Sequence, residues 1–247
     1  MKRLAAAAAC LLRVTRGLWR WLGIALAVTF CATLSLPTLA ITGDGRLGHR
    51  IFARGWGRFT LWWCGVSLRV EGFPPPAGGP PMVIVANHVS HYGFYAIAAA
   101  FPVQWRAVLR REMRRIPVFG YVAAKAGHIF VGLGQRDRAG AAMRAGIDRL
   151  REGHWLLVFP EGRPAAGALF PFRTGAFRLA IEAGAPVLPV ALVEIYRTGA
   201  HRNWSEAPRC LSVRTGRPIE TAGLSPDDAP ALAARARSEI VAILEAA

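Results

Sequence analysis

Apolar positions follow two different rhythms along this chain, and the change between them divides it. From Trp21 to Ile41 no formally charged residue interrupts the sequence, and such a run can cross an apolar bilayer core of roughly 30 Å. Trp19 and Trp21 stand at its start, where amphipathic rings favour a membrane interface. Pro37 is expected to bend the helix. A shorter aromatic stretch, Phe59–Leu68 with Trp62 and Trp63, suits an interfacial helix. A single span and a helical hairpin dipping into one leaflet both fit these two segments. The stiff run Gly72–Pro81 then breaks the pattern.

Beyond the break, short apolar runs alternate with helical ones. Met82–Ala86, Trp155–Phe159 and Val187–Leu192 read as buried strands, and Tyr92–Ala100, Arg138–Arg151 and Gly175–Ala183 as helices. The tail Ser225–Glu245 predicts a helix, with Ser225 as N-cap, Pro226 in the first turn and Asp227 and Asp228 complementing the dipole. Strands alternating with helices predict an α/β fold with a sheet flanked by helices. The expected organisation is therefore an N-terminal membrane-anchoring helical segment over residues 1–71, followed by an α/β domain over 72–247.

Composition narrows the partners. The chain has 247 residues, 53% of them hydrophobic, and a formal net charge of +16. Almost all of the positive charge is arginine, since Lys2 and Lys125 are the only lysines. Such an excess suits nucleic acid, anionic lipid headgroups or phosphorylated substrates. The arginines are dispersed and form no zinc-finger, RNA-binding or basic-zipper pattern, which argues against nucleic acid. Basic residues beside tryptophan-rich apolar segments point instead to an anionic membrane surface. Cys10, Cys31, Cys64 and Cys210 are far apart and show no metal-ligand spacing. They imply no disulfide framework, which suits a reducing compartment.

Two short constellations follow strands directly. Met82–Ala86 leads into Asn87-His88-Val89-Ser90-His91, and in open α/β sheets ligands bind where strands end and helices begin. His88 there can accept a proton near neutral pH, although an isolated Asn-His pair also suits a simple helix cap. A helix through His88 and His91 would set both imidazoles on one face; no third ligand is suitably spaced to make them a metal site. Val158-Phe159-Pro160-Glu161-Gly162-Arg163 follows the next strand. Arg163 could bind a phosphate bidentately, and Arg173, just ahead of a helix N-terminus, offers a second guanidinium.

Together these residues resemble the lysophosphatidate acyltransferase family of glycerolipid synthesis, from Met82 to Ile219. Asn87-His88 with Ser90 is similar to the family's NHxxxxD block, Gly127-His128-Ile129-Phe130-Val131 to its second block, Phe159–Gly162 with Arg163 to FPEGTR, and Val187–Val190 to its proline-containing fourth strand. The connecting runs Arg110–Gly120 and Pro171–Ala180 also read like family segments. The resemblance implies a glycerolipid acyltransferase-type mixed sheet and a reaction needing neither metal nor organic cofactor. It makes His88 the catalytic base, drawing a proton from a lysophospholipid hydroxyl that attacks the thioester of acyl-CoA or acyl carrier protein. It places Asn87, Ser90, Glu161, Gly162, Arg163, Arg173 and a second-block arginine at the substrate, and turns the catalytic domain of a membrane protein toward the cytoplasm.

This chain departs from the family pattern at one position above all. The aspartate five residues after the histidine is replaced by Gly93. That carboxylate normally orients the imidazole and stabilises its charged form. His91 is a possible supporting group in its place. In the second block the arginine is displaced to Arg136, with Arg138 just beyond, and Arg163 stands where the third block usually has threonine. Two readings follow: an active lysophospholipid acyltransferase, or a non-catalytic relative that binds lipid or acyl donor.

Overall fold

The computed structural model describes residues 2–42, 49, 53–72, 79–88, 90–132, 136–163, 169–193 and 206–246. Most of the Gly72–Pro81 break and the Gly132–Gln135 connection therefore lie outside the described residues, as does the side chain of Arg136.

Helix α1 spans Lys2–Thr42 and runs through Pro37 and past both ends of the uncharged stretch. Its Ala7–Leu34 portion is long and apolar enough to cross a membrane. The helix has two faces. Ile24, Ala27 and Ala32 are buried against the rest of the protein, whereas Leu18, Leu22, Leu26, Phe30 and Leu34 form an exposed stripe at spacings of four. Helix α2, Arg54–Trp63, begins and ends earlier than the expected Phe59–Leu68 segment. It stops because Gly65, at φ +72°, turns the chain, so that the amide of Val66 returns to the Leu61 carbonyl. Leu68 then belongs to a strand. Trp63 stacks on Trp19 at 4.6 Å and donates its indole N–H to the Trp19 carbonyl at 3.0 Å. Gly23 makes the approach possible, since a Cβ there would fall inside the Trp63 indole.

Seven strands form one sheet: β1 Ser67–Gly72, β2 Val83–Ala86, β3 Trp105–Arg110, β4 Ile129–Val131, β5 Trp155–Val158, β6 Val187–Leu192 and β7 Cys210–Thr215. Their order is β1-β7-β6-β2-β5-β3-β4. The five strands from β6 to β4 are mutually parallel, and β7 joins β6 antiparallel. The fold is thus the expected mixed α/β sheet. Its first strand pairs with β7 along its whole length and lies ahead of residue 72.

Helices cover both faces, as a mainly parallel sheet requires. Alternate residues of β2 point to opposite sides. Ile84 and Ala86 enter a core with α1, α2 and helix α3 (His91–Ala100), including Ile24, Leu61, Tyr92 and Ala96. Val83 and Val85 enter a second core with helices α5 (Arg136–Arg151), α6 (Gly175–Ala183) and α7 (Ala229–Glu245). The short helix α4, Phe119–Lys125, links β3 to β4. Ahead of α7 a 3-10 turn at Pro226–Asp228 carries a Ser225–Asp228 capping box, built on the N-cap serine that the sequence suggests.

Candidate active site

The central strand β2 delivers Asn87 and His88 at its carboxyl end. Asn87 is fully buried and behaves as an extra rung between β2 and β6. Its Oδ1 accepts from the Leu192 amide at 2.7 Å and its Nδ2 donates to the Leu192 carbonyl at 3.3 Å. Removing that amide would strand a buried N–H and C=O, at a cost of about 1–3 kcal/mol. Ser90 is the N-cap of α3 and accepts from the Tyr92 amide at 3.2 Å. Both residues are thus engaged in shaping the turn that presents His88.

Helix α3 starts at His91, so His88 precedes it and the two imidazoles do not share a helical face. His88 stacks on Phe159 with ring centroids 4.5 Å apart. His91 instead packs on Tyr92 at 4.2 Å and on Trp21 of α1 at 5.2 Å. Burial, with the neighbouring His91, lowers the His88 pKa to about 4; burial lowers that of His91 to about 4. His88 is therefore neutral near pH 7, and its buried Nδ1 has no hydrogen-bond partner among the described residues. At Gly93, where the resemblance expects a carboxylate, a Cβ would lie 2.4 Å from Leu192 Cδ1. Leucine fills the space an acid would need.

The loop after β5 meets the His88 turn through a buried carboxylate. Glu161 accepts from the His88 amide through Oε1 at 2.7 Å and from the Phe170 amide through Oε2 at 2.9 Å. Burial raises its pKa, and these two bonds oppose the rise. Both oxygens thus accept from backbone amides. Gly162 next to it has φ +70°, and a Cβ there would lie 2.8 Å from Arg173 Nε. Arg163 lies over the Phe170 ring at 4.2 Å. Arg163 and Arg173 are both exposed, so this loop presents two guanidinium groups to solvent.

The second block lies elsewhere. Its strand β4 is the sheet edge, separated from β2 by β5 and β3. His128 is half-buried beside it and accepts from the Ala107 amide through Nδ1 at 2.8 Å. Arg136 opens helix α5. Sequence reasoning missed the parts played by Phe170 and Leu192, which act through backbone groups and leave no motif.

A histidine on a strand end, tied through its amide to a carboxylate on a loop that carries two arginines, matches the order of the sequence blocks, and comparison with known proteins decides the family. The acyltransferase family model matches residues 68–193. The chain belongs to the acyltransferase family. It is 30% identical over 230 residues to 1-acyl-sn-glycerol-3-phosphate acyltransferase alpha of Mus musculus, covering 87% of this chain and 76% of that protein. It is 34% identical over 161 residues to 1-acyl-sn-glycerol-3-phosphate acyltransferase of Neisseria meningitidis serogroup B, covering 63% of this chain and 62% of the relative. The crystal structure of PlsC, the 1-acyl-sn-glycerophosphate acyltransferase of Thermotoga maritima, shares the fold, with a TM-score of 0.80 over 95% of each chain at 21% identity. The mixed sheet and its N-terminal helices are therefore a shared acyltransferase architecture.

Proposed function

We propose that this acyltransferase moves a fatty acyl chain from acyl-CoA or acyl carrier protein to the free hydroxyl of a lysophospholipid such as lysophosphatidate. The observation that carries the reading is the placement of His88: a neutral imidazole with an unengaged Nδ1 at the end of β2, beside the loop bearing Arg163 and Arg173. His88 takes the acceptor's hydroxyl proton as the oxygen attacks the thioester carbonyl. The tetrahedral intermediate then expels the thiolate, which recovers that proton from the imidazolium. The products are the ester and the free thiol. Arg163 and Arg173 hold the acceptor's phosphate, with Gly162 letting Arg173 approach the backbone. Asn87, Ser90 and Glu161 hold the turn on which His88 stands. The names of the relatives support lysophosphatidate as acceptor.

The N-terminal helices serve as the membrane anchor and the sheet-bearing remainder as the catalytic domain, facing the cytoplasm, where acyl thioesters are made. The exposed stripe on α1 supports this reading, and the excess of arginine favours an anionic leaflet. A second reading, a lipid- or donor-binding relative without turnover, rests on Gly93 and on the leucine that occupies the acid's place. The deciding experiment presents purified protein in bilayers with several lysolipid acceptors and both donor types. Transfer that disappears in His88→Ala supports the catalytic reading. Absence of transfer with every pair, together with retained lipid binding, supports the second.

A further inference from the structure

The family-model match ends at Val193, yet helix α7, far beyond it, is linked through the Leu169–Phe170 segment and Glu161 to the turn that carries His88. Arg237 lies on the inner side of α7, next to the buried Ala236 and one turn from the buried Ile240. Its Nη2 donates to the Leu169 carbonyl at 2.8 Å. Leu169 is itself buried with Ala191, Val193, Ile240 and Leu244, which pins this segment between β6 and α7. The next residue, Phe170, gives its amide to Glu161 Oε2 at 2.9 Å, and the other oxygen of Glu161 receives the His88 amide at 2.7 Å. A continuous path of hydrogen bonds and one peptide unit thus joins α7 to the candidate base. The guanidinium also places its charge near the Glu161 carboxylate, and its buried Nε has no hydrogen-bond partner among the described residues.

We propose that Arg237 is a positioning residue for acyl transfer, fixing the Leu169–Phe170 segment and the Glu161 carboxylate so that α7 sets where the His88 imidazole stands. The inference rests on the reading of His88 as the base. Arg237 touches neither His88 nor any place assigned to substrate, so it acts through Glu161. Other groups around Glu161 are the His88 and Phe170 amides, the His88 ring stacked on Phe159, Arg163 over Phe170, and Arg173 against Gly162. Arg237 alone among these comes from the C-terminal helix. Burial favours the protonated form of Glu161, and the guanidinium opposes it. Without Arg237 the carboxyl protonates at a higher pH and one oxygen ceases to be a free acceptor.

The test uses the full chain in detergent or nanodiscs, with acyl-CoA and lysophosphatidate as probes. Arg237→Met, Arg237→Lys, Glu161→Gln and the double variant Arg237→Met/Glu161→Gln are compared for kcat, KM and melting temperature across pH 5–9. Arg237→Met is expected to lower kcat about tenfold, as a misplaced catalytic group does, with both KM values nearly unchanged. The acid limb of its rate profile should move to higher pH, and Arg237→Lys should recover most of the loss. In the Glu161→Gln background, Arg237→Met should cost little more. An unchanged kcat, or additive losses with an unmoved acid limb, would overturn the proposal. Should Arg237→Met not fold, Arg237→Gln decides in its place, since it keeps a donor for the Leu169 carbonyl but removes the charge, and must still move the acid limb to higher pH. His88→Ala, measured alongside, separates the two ideas: retained turnover there removes the base assignment, whereas the Arg237–Glu161 coupling is read from the cycle itself.

Discussion

His88 and His128 are both histidines at the ends of sheet strands, both half-buried, and both shifted to low pKa, yet their hydrogen bonding differs. The pKa of His128 falls to about 3 through burial and the nearby Arg106, and that of His88 to about 4 through burial and His91. His128 has its Nδ1 lone pair committed to the Ala107 amide at 2.8 Å, on the edge pair β3–β4. His88 keeps its Nδ1 unengaged, stands on the central strand, and is bonded through its backbone amide to Glu161. A depressed pKa therefore does not mark a base here. What separates His88 from His128 is an available lone pair on a well-held turn.

The largest expected effect breaks the comparison directly. His88→Ala should lower kcat by about 100-fold or more, the usual worth of a general base, with the melting temperature nearly unchanged. His128→Ala should show the reverse: a marked loss of stability, with turnover per folded molecule kept. Acyl-transfer assays and thermal melts on both variants check this pair, and equal loss of turnover in the two would erase the distinction.

Glu161→Gln comes next. One carboxylate oxygen becomes an NH2 that faces a backbone N–H, so either the His88 or the Phe170 bond is lost, costing about 1–3 kcal/mol. Expressed in the transition state, that is a tenfold or greater fall in kcat, to be read by steady-state kinetics. Gly93→Asp should not raise activity by itself, because its Cβ meets Leu192 Cδ1 at 2.4 Å. Adding Leu192→Ala makes room, and the double variant should be several-fold more active than Gly93→Asp alone. A single variant that outperforms the parent would show that the leucine yields.

The smallest effect is in pH dependence. With His128 at about 3 when folded and near 6.5 when unfolded, the unfolded chain binds the extra proton between these values. This contribution to stability is intact above pH 6.5 and declines as pH falls toward 3. By pH 5.5 the loss should be about 1.4 kcal/mol. Melting His128→Gln alongside the parent at pH 7.5 and 5.5 should show a shallower decline in the variant.

The sequence was most legible where apolar runs were dense. Val187–Leu192 and Gly175–Ala183 appear with the expected bounds, and the other three expected helices and two strands shift by a few residues at most. Strands β1, β3, β4 and β7 were missed: β1, β3 and β7 mix charge into their patterns (Arg69 and Glu71, Arg106, and Arg214), and β4 is only three residues long. Arg106 in particular is buried on a strand, against the usual expectation for arginine. The helix bounded by Trp63 could not be placed from aromatic density alone, since Gly65 ends it and Trp19, distant in sequence, packs on it.

By itself, the sequence determined the family, the α/β class and the base candidate, because block order, hydrophobic period and strand-end chemistry are local properties. Tertiary structure alone decided what the neighbours of that base do. Asn87 proved to be a sheet rung, Ser90 a helix cap and Glu161 a clamp on two amides, because each engages backbone groups 2 to 105 positions away that carry no sequence signature. It also decided that the space beside Gly93 belongs to a leucine from β6, since only folding brings helix α3 against the end of that strand.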